Sequence, residues 1–547
     1  MKIVAAVLAD FREANPGGPS RLTEPLVGTP ILVRTLQRVA RIEGPAARCV
    51  CVQPRDEAAA AAAVQAAGLA DVFDVRPLDT GLRPRRELIR AARKWNLNSW
   101  RGGLLGLSWF DEFADPPTLA RIVQHYRCDA VLCVDGHQPL LDPALASAMC
   151  AHHVEHAQLA KFTFSAAPPG LAGVLIGEAL LVDLLEGDWP VGLVLSYRPE
   201  MAHSDPLTLP ACCHVAPEIA QTAARFAADT RTARELVAAA LAAVGENADA
   251  GRLCAWLRAG GYDPWERLPQ EVELELTTAD PLPETTLRPR GDRVPRRELS
   301  DLGAVARLGA ELGVWDDRLV CLGGHGDPLC HPHFADVCRL LRAGGVYGLA
   351  VTTTLVHLPE PAFEALFAAP VDVVEVRLDA TAPASYLRVH GRDAFNDVMC
   401  NLTKIEERRR STSSPRPILV CSFTRHSATL PELEEFHDAF MMRHGSALIR
   451  GYNEYSGRMP PDTLLRTEPP VREPCRRLVR RLMLLADGTA VLCEQDVCGE
   501  LPIGNWTRAP LAEFWGGPAL RQARAAHAAG DLQALPICGR CQEWHRP

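Results

Sequence analysis

Four cysteines near the carboxyl end constrain this 547-residue chain more tightly than any other feature. Cys475 is followed by RRLVRRLMLLADGTAVLC, in which Asp487-Gly488 predicts a hairpin turn and Cys493 ends the second strand. Two thiols can therefore face each other across a small hairpin. Farther on, Cys538-Gly-Arg-Cys541 is a knuckle whose two-residue spacing lets both sulfurs turn toward one metal atom. Together these residues supply four thiolates, and spacing alone suits either structural zinc or an iron–sulfur centre. Cys498, just after Cys493, reads as a packed or solvent-side thiol.

The other cysteines call for a different explanation. The opening, MKIVAAVLADF, holds no apolar run long enough for a signal peptide or a membrane span, so a cytoplasmic location is expected. In a reducing cytoplasm thiols stay free, and the 18 cysteines are not expected to form a disulfide framework. Cys49, Cys51, Cys133, Cys321 and Cys421 lie in apolar strand-like runs and read as packing residues. With 47% hydrophobic and 23% charged residues the composition is that of a globular protein. A net charge of −9, with both signs interspersed, leaves no basic stripe for a phosphate backbone, so nucleic acid is not an expected partner.

The rhythm of apolar runs divides the chain into four parts. Residues 1–200 alternate strand-like KIVAAVLA, RCVCVQ and DAVLCVDG with helical patterns, which predicts an open α/β sheet. The phrase FTFSAAPPGLAGVLIG reads as strand, proline–glycine turn and strand. Residues 201–268 are helical and alanine-rich, a connector without evident chemistry. Within 269–465, VELEL, RLVCLGG, YGLAVTT, VDVVEVRLD, ILVCSF and SALIRGY alternate with helical stretches, as in a partial parallel β/α barrel with its site at the carboxyl ends of the strands. Residues 466–547 form the small cysteine-rich domain.

Three of the four parts resemble known families. The tail resembles the SPASM domain in wording as well as spacing. After Cys475 come Asp487-Gly488, CEQD, IGNW, LAEFW, a helix with Arg524 and His527, and the closing CGRCQEW. The resemblance implies one auxiliary [4Fe–4S] cluster held by Cys475, Cys493, Cys538 and Cys541. The barrel resembles the radical S-adenosylmethionine fold: GGHGDPLCHP looks like its glycine-rich strand end, and Thr353-Thr354-Leu355 stands where that family often has Thr-Asn-Gly. Gly323, Gly324 and Asp327 are then the implied contacts for S-adenosylmethionine. The loop that carries CxxxCxxC in active members is here LELTTADPLPETTLRPRG, without a cysteine. Asp280 and Glu284 in it read as loop-turn and solvent-facing residues, because carboxylates are poor substitutes for sulfur on such a cluster. Cys321, His325, Asp327, Cys330, His331, His333 and Cys338 read as a strand end, a tight glycine loop and the start of a helix rather than as a metal site.

The amino-terminal part resembles the sugar cytidylyltransferases, with Gly17, Gly18, Ser20 and Arg21 in a loop after the first strand and DAVLCVDGHQPLLDP farther on. In that family the glycine loop cradles nucleotide phosphates and an aspartate holds a divalent metal. Here Pro25 falls where the family has a lysine and His137 where it has the metal aspartate, with Asp135 two residues away. The whole arrangement resembles the spiro-SPASM proteins.

The expectation is an iron–sulfur protein whose barrel does not run standard radical chemistry, with an electron-transfer or structural role or one in docking a peptide or protein partner. The alternative is an enzyme: a cytidylyltransferase using Arg21, Asp135 and His137, or an unorthodox S-adenosylmethionine enzyme using Gly323, Gly324 and Asp327.

Overall fold

Apolar runs bounded by capping side chains become strands and helices in the computed structural model, which describes residues 1–78, 83–199 and 205–546. The chain divides into two compact units, Met1–Pro264 and Trp265–Pro547, where the sequence suggests four parts.

In the first unit, strands β1 (Ile3–Leu8), β2 (Ala47–Val52), β3 (Asp74–Pro77), β4 (Ala130–Asp135), β5 (Phe162–Thr163) and β6 (Val174–Gly177) form one sheet in the order β3-β2-β1-β4-β6-β5. The central pairs are parallel and the β4–β6 and β6–β5 pairs antiparallel. Every residue of β1 and β4 is buried, as continuous apolar strands covered on both faces require. Asp115 and Asp142 each precede a proline and cap the helices Pro116–Tyr126 and Pro143–Glu155 by accepting backbone N–H groups of the first turn.

The alanine-rich stretch belongs to this unit's interior. Phe226, Leu236, Val237 and Leu253 share one hydrophobic core with Val7 and Leu132. The Asp142 carboxylate also accepts from Ala250 N at 2.8 Å. Arg225, fully buried, donates to Glu112 at 2.7 Å and to Asp229 at 2.7 Å, and Arg93 completes the group from the other side of Glu112 at 3.0 Å.

The second unit has a sheet of nine strands. Its six parallel strands are β7 (Glu271–Glu275), β8 (Leu319–Gly323), β9 (Gly348–Thr353), β10 (Val373–Arg377), β11 (Ile418–Arg425) and β12 (Ala447–Gly451), each paired with the next. These are the six strands read from the sequence, in the open series of a partial β/α barrel. Strands β13 (Arg481–Leu484), β14 (Thr489–Val491) and β15 (Pro502–Asn505) extend the sheet beyond β7. β13 runs parallel to β7 with Leu482 opposite Val272, and β14 and β15 follow antiparallel. One core therefore includes Val272 and Val320 of the barrel together with Leu484, Trp506 and Trp515 of the tail. The fold is α/β throughout. Among the described residues no helix is long and apolar enough to cross a membrane.

Candidate metal centre

The hairpin predicted at Asp487-Gly488 forms as expected. Asp487 Oδ1 accepts from Thr489 N at 2.9 Å, and Gly488 has φ +94°, with Thr507 Oγ1 only 2.8 Å from where a Cβ would sit. Cys493 lies just past the end of β14. Cys475 precedes a single helical turn, Arg477–Arg480, rather than lying on the facing strand. Cys538 is in the short helix Pro536–Arg540 and Cys541 terminates it.

From these separate elements all four cysteines come to line one cavity, with Arg477, Gln495, His527 and Trp544 among its walls. Cys498 does not line it. Glu543 N donates to Cys541 Sγ at 3.2 Å, a backbone N–H already directed at one of the sulfurs. Burial pushes all four thiols up, Cys538 to about 11 and Cys541 to about 12. A metal must therefore displace their protons to bind.

The donor set fits an iron–sulfur cluster. All four donors are soft sulfurs, and the Arg477 guanidinium lies beside Cys475 and Cys493, where it offsets negative charge. Among the described residues, no three His, Cys, Asp or Glu side chains form a group that could hold a single metal ion.

At the carboxyl ends of the barrel strands the predicted contact residues are engaged by the protein's own polar groups. Gly323 ends β8, and Gly324 N donates to Glu273 Oε1 at 3.0 Å. The Gly324 carbonyl accepts from Arg290 Nη2 at 3.1 Å. Asp327 accepts from Leu329 N, Thr353 Oγ1, Thr354 N and Thr354 Oγ1 at 2.6–3.0 Å, so its carboxylate staples β8 to the end of β9. Asp280 departs from the sequence reading in one respect. It makes the expected loop turn to Leu282 N, but its side chain is buried and ion-paired to Arg290 at 2.7 Å instead of facing solvent. Glu275 is buried against Arg297 at 2.7 and 3.1 Å, and Arg297 also donates to Val497 O at 3.0 Å. His331 Nε2 donates to Leu299 O at 2.9 Å, and Cys338 is buried in a helix. Cys321 is half-buried rather than packed away, 3.5 Å from Thr352 Oγ1.

In the first unit, Gly17 and Gly18 take φ +117° and +79°, and their loop closes on itself through Gly17 N to Ala14 O and Ala14 N to Gly18 O, both 3.1 Å. Arg90 donates to the Ala14 and Asn15 carbonyls from the helix Arg83–Arg93. Arg21 pairs with Glu24 at 3.0 Å, while its N–H points toward His137 Nε2 at 3.4 Å. His137 is buried beside Asp135. Burial lowers its imidazole, but the Asp135 carboxylate outweighs this and raises it.

Residues 475–542 match the SPASM family, described as an iron–sulfur cluster-binding domain. An uncharacterised protein of Treponema pallidum (strain Nichols) is 26% identical over 294 residues, which are 51% of this chain and 79% of that protein. Among solved structures, a cytidylyltransferase from Leptospira borgpetersenii is 13% identical with a TM-score of 0.34, covering 48% of this chain and 95% of that one. Streptococcus suis SuiB bound to the precursor peptide SuiA is 11% identical with a TM-score of 0.39, covering 64% and 78%.

The sequence reading names the four cysteines, but it gives no role to Arg477, Gln495 or His527. The last two stand in phrases quoted for the SPASM resemblance, CEQD and the His527 helix, without anything to mark them as cavity walls.

Proposed function

We propose that this chain is an iron–sulfur protein whose tail holds one [4Fe–4S] cluster on Cys475, Cys493, Cys538 and Cys541, and whose barrel does not cleave S-adenosylmethionine. The observation that carries the reading is the convergence of four cysteines from three separate elements on a single cavity. The family match to an iron–sulfur cluster-binding domain over the same residues supports it. A bound cluster supplies one-electron transfer; the chain's own residues bind it, shield it from water and compensate its charge.

The barrel half of the reading rests on two features. The loop after β7 has no cysteine, and Asp280 and Arg290 form a buried ion pair within it. Arg290 then occupies the Gly324 carbonyl, and the Asp327 carboxylate is saturated by threonine and backbone donors. Groups that would otherwise meet a cofactor are engaged in holding the loop. The role assigned to the chain is electron transfer, structure or docking of a peptide or protein partner through the tail.

Anaerobically purified protein is expected to carry about four irons and a visible absorbance that disappears in Cys538→Ala. Incubation with S-adenosylmethionine and a strong reductant is expected to yield no 5′-deoxyadenosine. Its formation would overturn the second half of the reading while leaving the first intact.

A further inference from the structure

Three side chains around the four-cysteine cavity carry N–H groups without an acceptor. His527 Nδ1 lies 3.4 Å from Cys475 N and accepts from it, which places the ring proton on Nε2. His527 Nε2 is buried and has no hydrogen-bond partner. Gln495 repeats the pattern: its Oε1 accepts from Ser456 Oγ at 3.4 Å, and its Nε2 is buried and unpartnered. Arg477 binds Glu494 through Nη1, while its Nε is buried with no partner. The three residues are 6%, 2% and 8% exposed, and all three line the cavity.

An orphaned buried donor costs on the order of 1–3 kcal/mol, and buried polar groups are otherwise almost always paired. In each case the neighbouring protein satisfies another atom of the side chain and leaves an N–H over. Three such donors on residues that line one cavity ask for an acceptor inside it. Thiolates and inorganic sulfides are such acceptors, and they are negatively charged.

We propose that His527 Nε2–H, Gln495 Nε2–H and Arg477 Nε–H donate to the sulfurs of the bound cluster and set its reduction potential. This rests on the tail cluster of the preceding section. Reduction adds one electron, and thus one negative charge, to the cluster; N–H donors stabilise the reduced form more than the oxidised form. Removing one donor therefore makes reduction harder. His527, Gln495 and Arg477 are positioning residues here, since the cysteines alone ligate iron.

The test compares full-length wild type, His527→Leu, Gln495→Leu and His527→Gln, purified anaerobically. Dithionite supplies the electron, and paramagnetic resonance follows the reduced cluster during a potential titration. Each leucine variant is expected to keep its iron and to show about a tenfold fall in the equilibrium constant for reduction, which is about 59 mV. His527→Gln, which retains an amide N–H at similar reach, is expected to recover most of that loss. Iron-loaded leucine variants with the wild-type potential would overturn the inference and leave the cluster itself standing. Wild type that holds zinc and no iron would overturn the reading beneath it. Should the variants fail to hold iron, wild type labelled with 15N-histidine decides: a nitrogen coupling to the reduced cluster supports the assignment of His527, and its absence refutes it.

Discussion

At the residue scale, the second unit's interior is held by charges that water does not reach. Arg297 and Glu275 are both nearly inaccessible and joined by two hydrogen bonds. Removing one partner of such a pair leaves the other buried and uncompensated, at a cost of about 3–5 kcal/mol. Arg297→Met is expected to lower the stability of this unit by that amount, measured by chemical denaturation; an unchanged midpoint would show that the pair contributes nothing. Glu375 gives a pH dependence. Burial raises its carboxyl, but the Arg450 guanidinium outweighs burial and holds it at about 2, against an ordinary 4.5. A carboxyl depressed on folding stabilises above its unfolded value and loses that contribution as pH falls toward its folded value. The contribution of Glu375 is expected in full above about pH 4.5 and to fade toward pH 2. In Arg450→Ala the acid transition should move to higher pH, read by circular dichroism across that window. Such pairs were not legible in the sequence. Asp280 and Arg290 look like ordinary loop residues because their burial depends on β8 and the glycine loop closing over them.

Strands and hairpins lie closer to the surface of the sequence. The six barrel strands could be read because each is a short apolar run between helical patterns, and the tail hairpin because Asp-Gly permits its turn. What no local pattern encodes is the pairing of β13 with β7, which joins residues about two hundred positions apart, Arg481 opposite Glu271 and Leu484 opposite Leu274. Without β13 the edge of β7 would present unpaired backbone groups and uncovered apolar side chains. A chain ending at residue 465 is therefore expected to aggregate or to unfold at markedly lower denaturant than the full chain, whether or not iron is supplied. Size-exclusion chromatography would show this, and a monodisperse fragment of undiminished stability would contradict it.

At the scale of the whole molecule, composition and rhythm were enough to identify two α/β series, and each has its own sheet and core. The alanine-rich stretch reads as a connector because its helices carry few large apolar residues. Its place in the first core comes from Phe226, Leu236 and Leu253 and from the buried pairing of Arg225 with Glu112, contacts invisible along the chain. Cleavage between Pro264 and Trp265 is accordingly expected to give two fragments that each fold, with cooperative unfolding of 1–264 on its own. The grouping of the four cysteines was legible from spacing and phrase, whereas the place of His527 and Gln495 in the wall of the same cavity was not, since it arises only once helix and loop fold over it. The most direct measurement is the metal and acid-labile sulfide content of full-length protein kept from oxygen. About four irons and four sulfides per chain, lost together in Cys538→Ala, are the predicted result; zinc in place of iron, or iron without sulfide, would contradict the account.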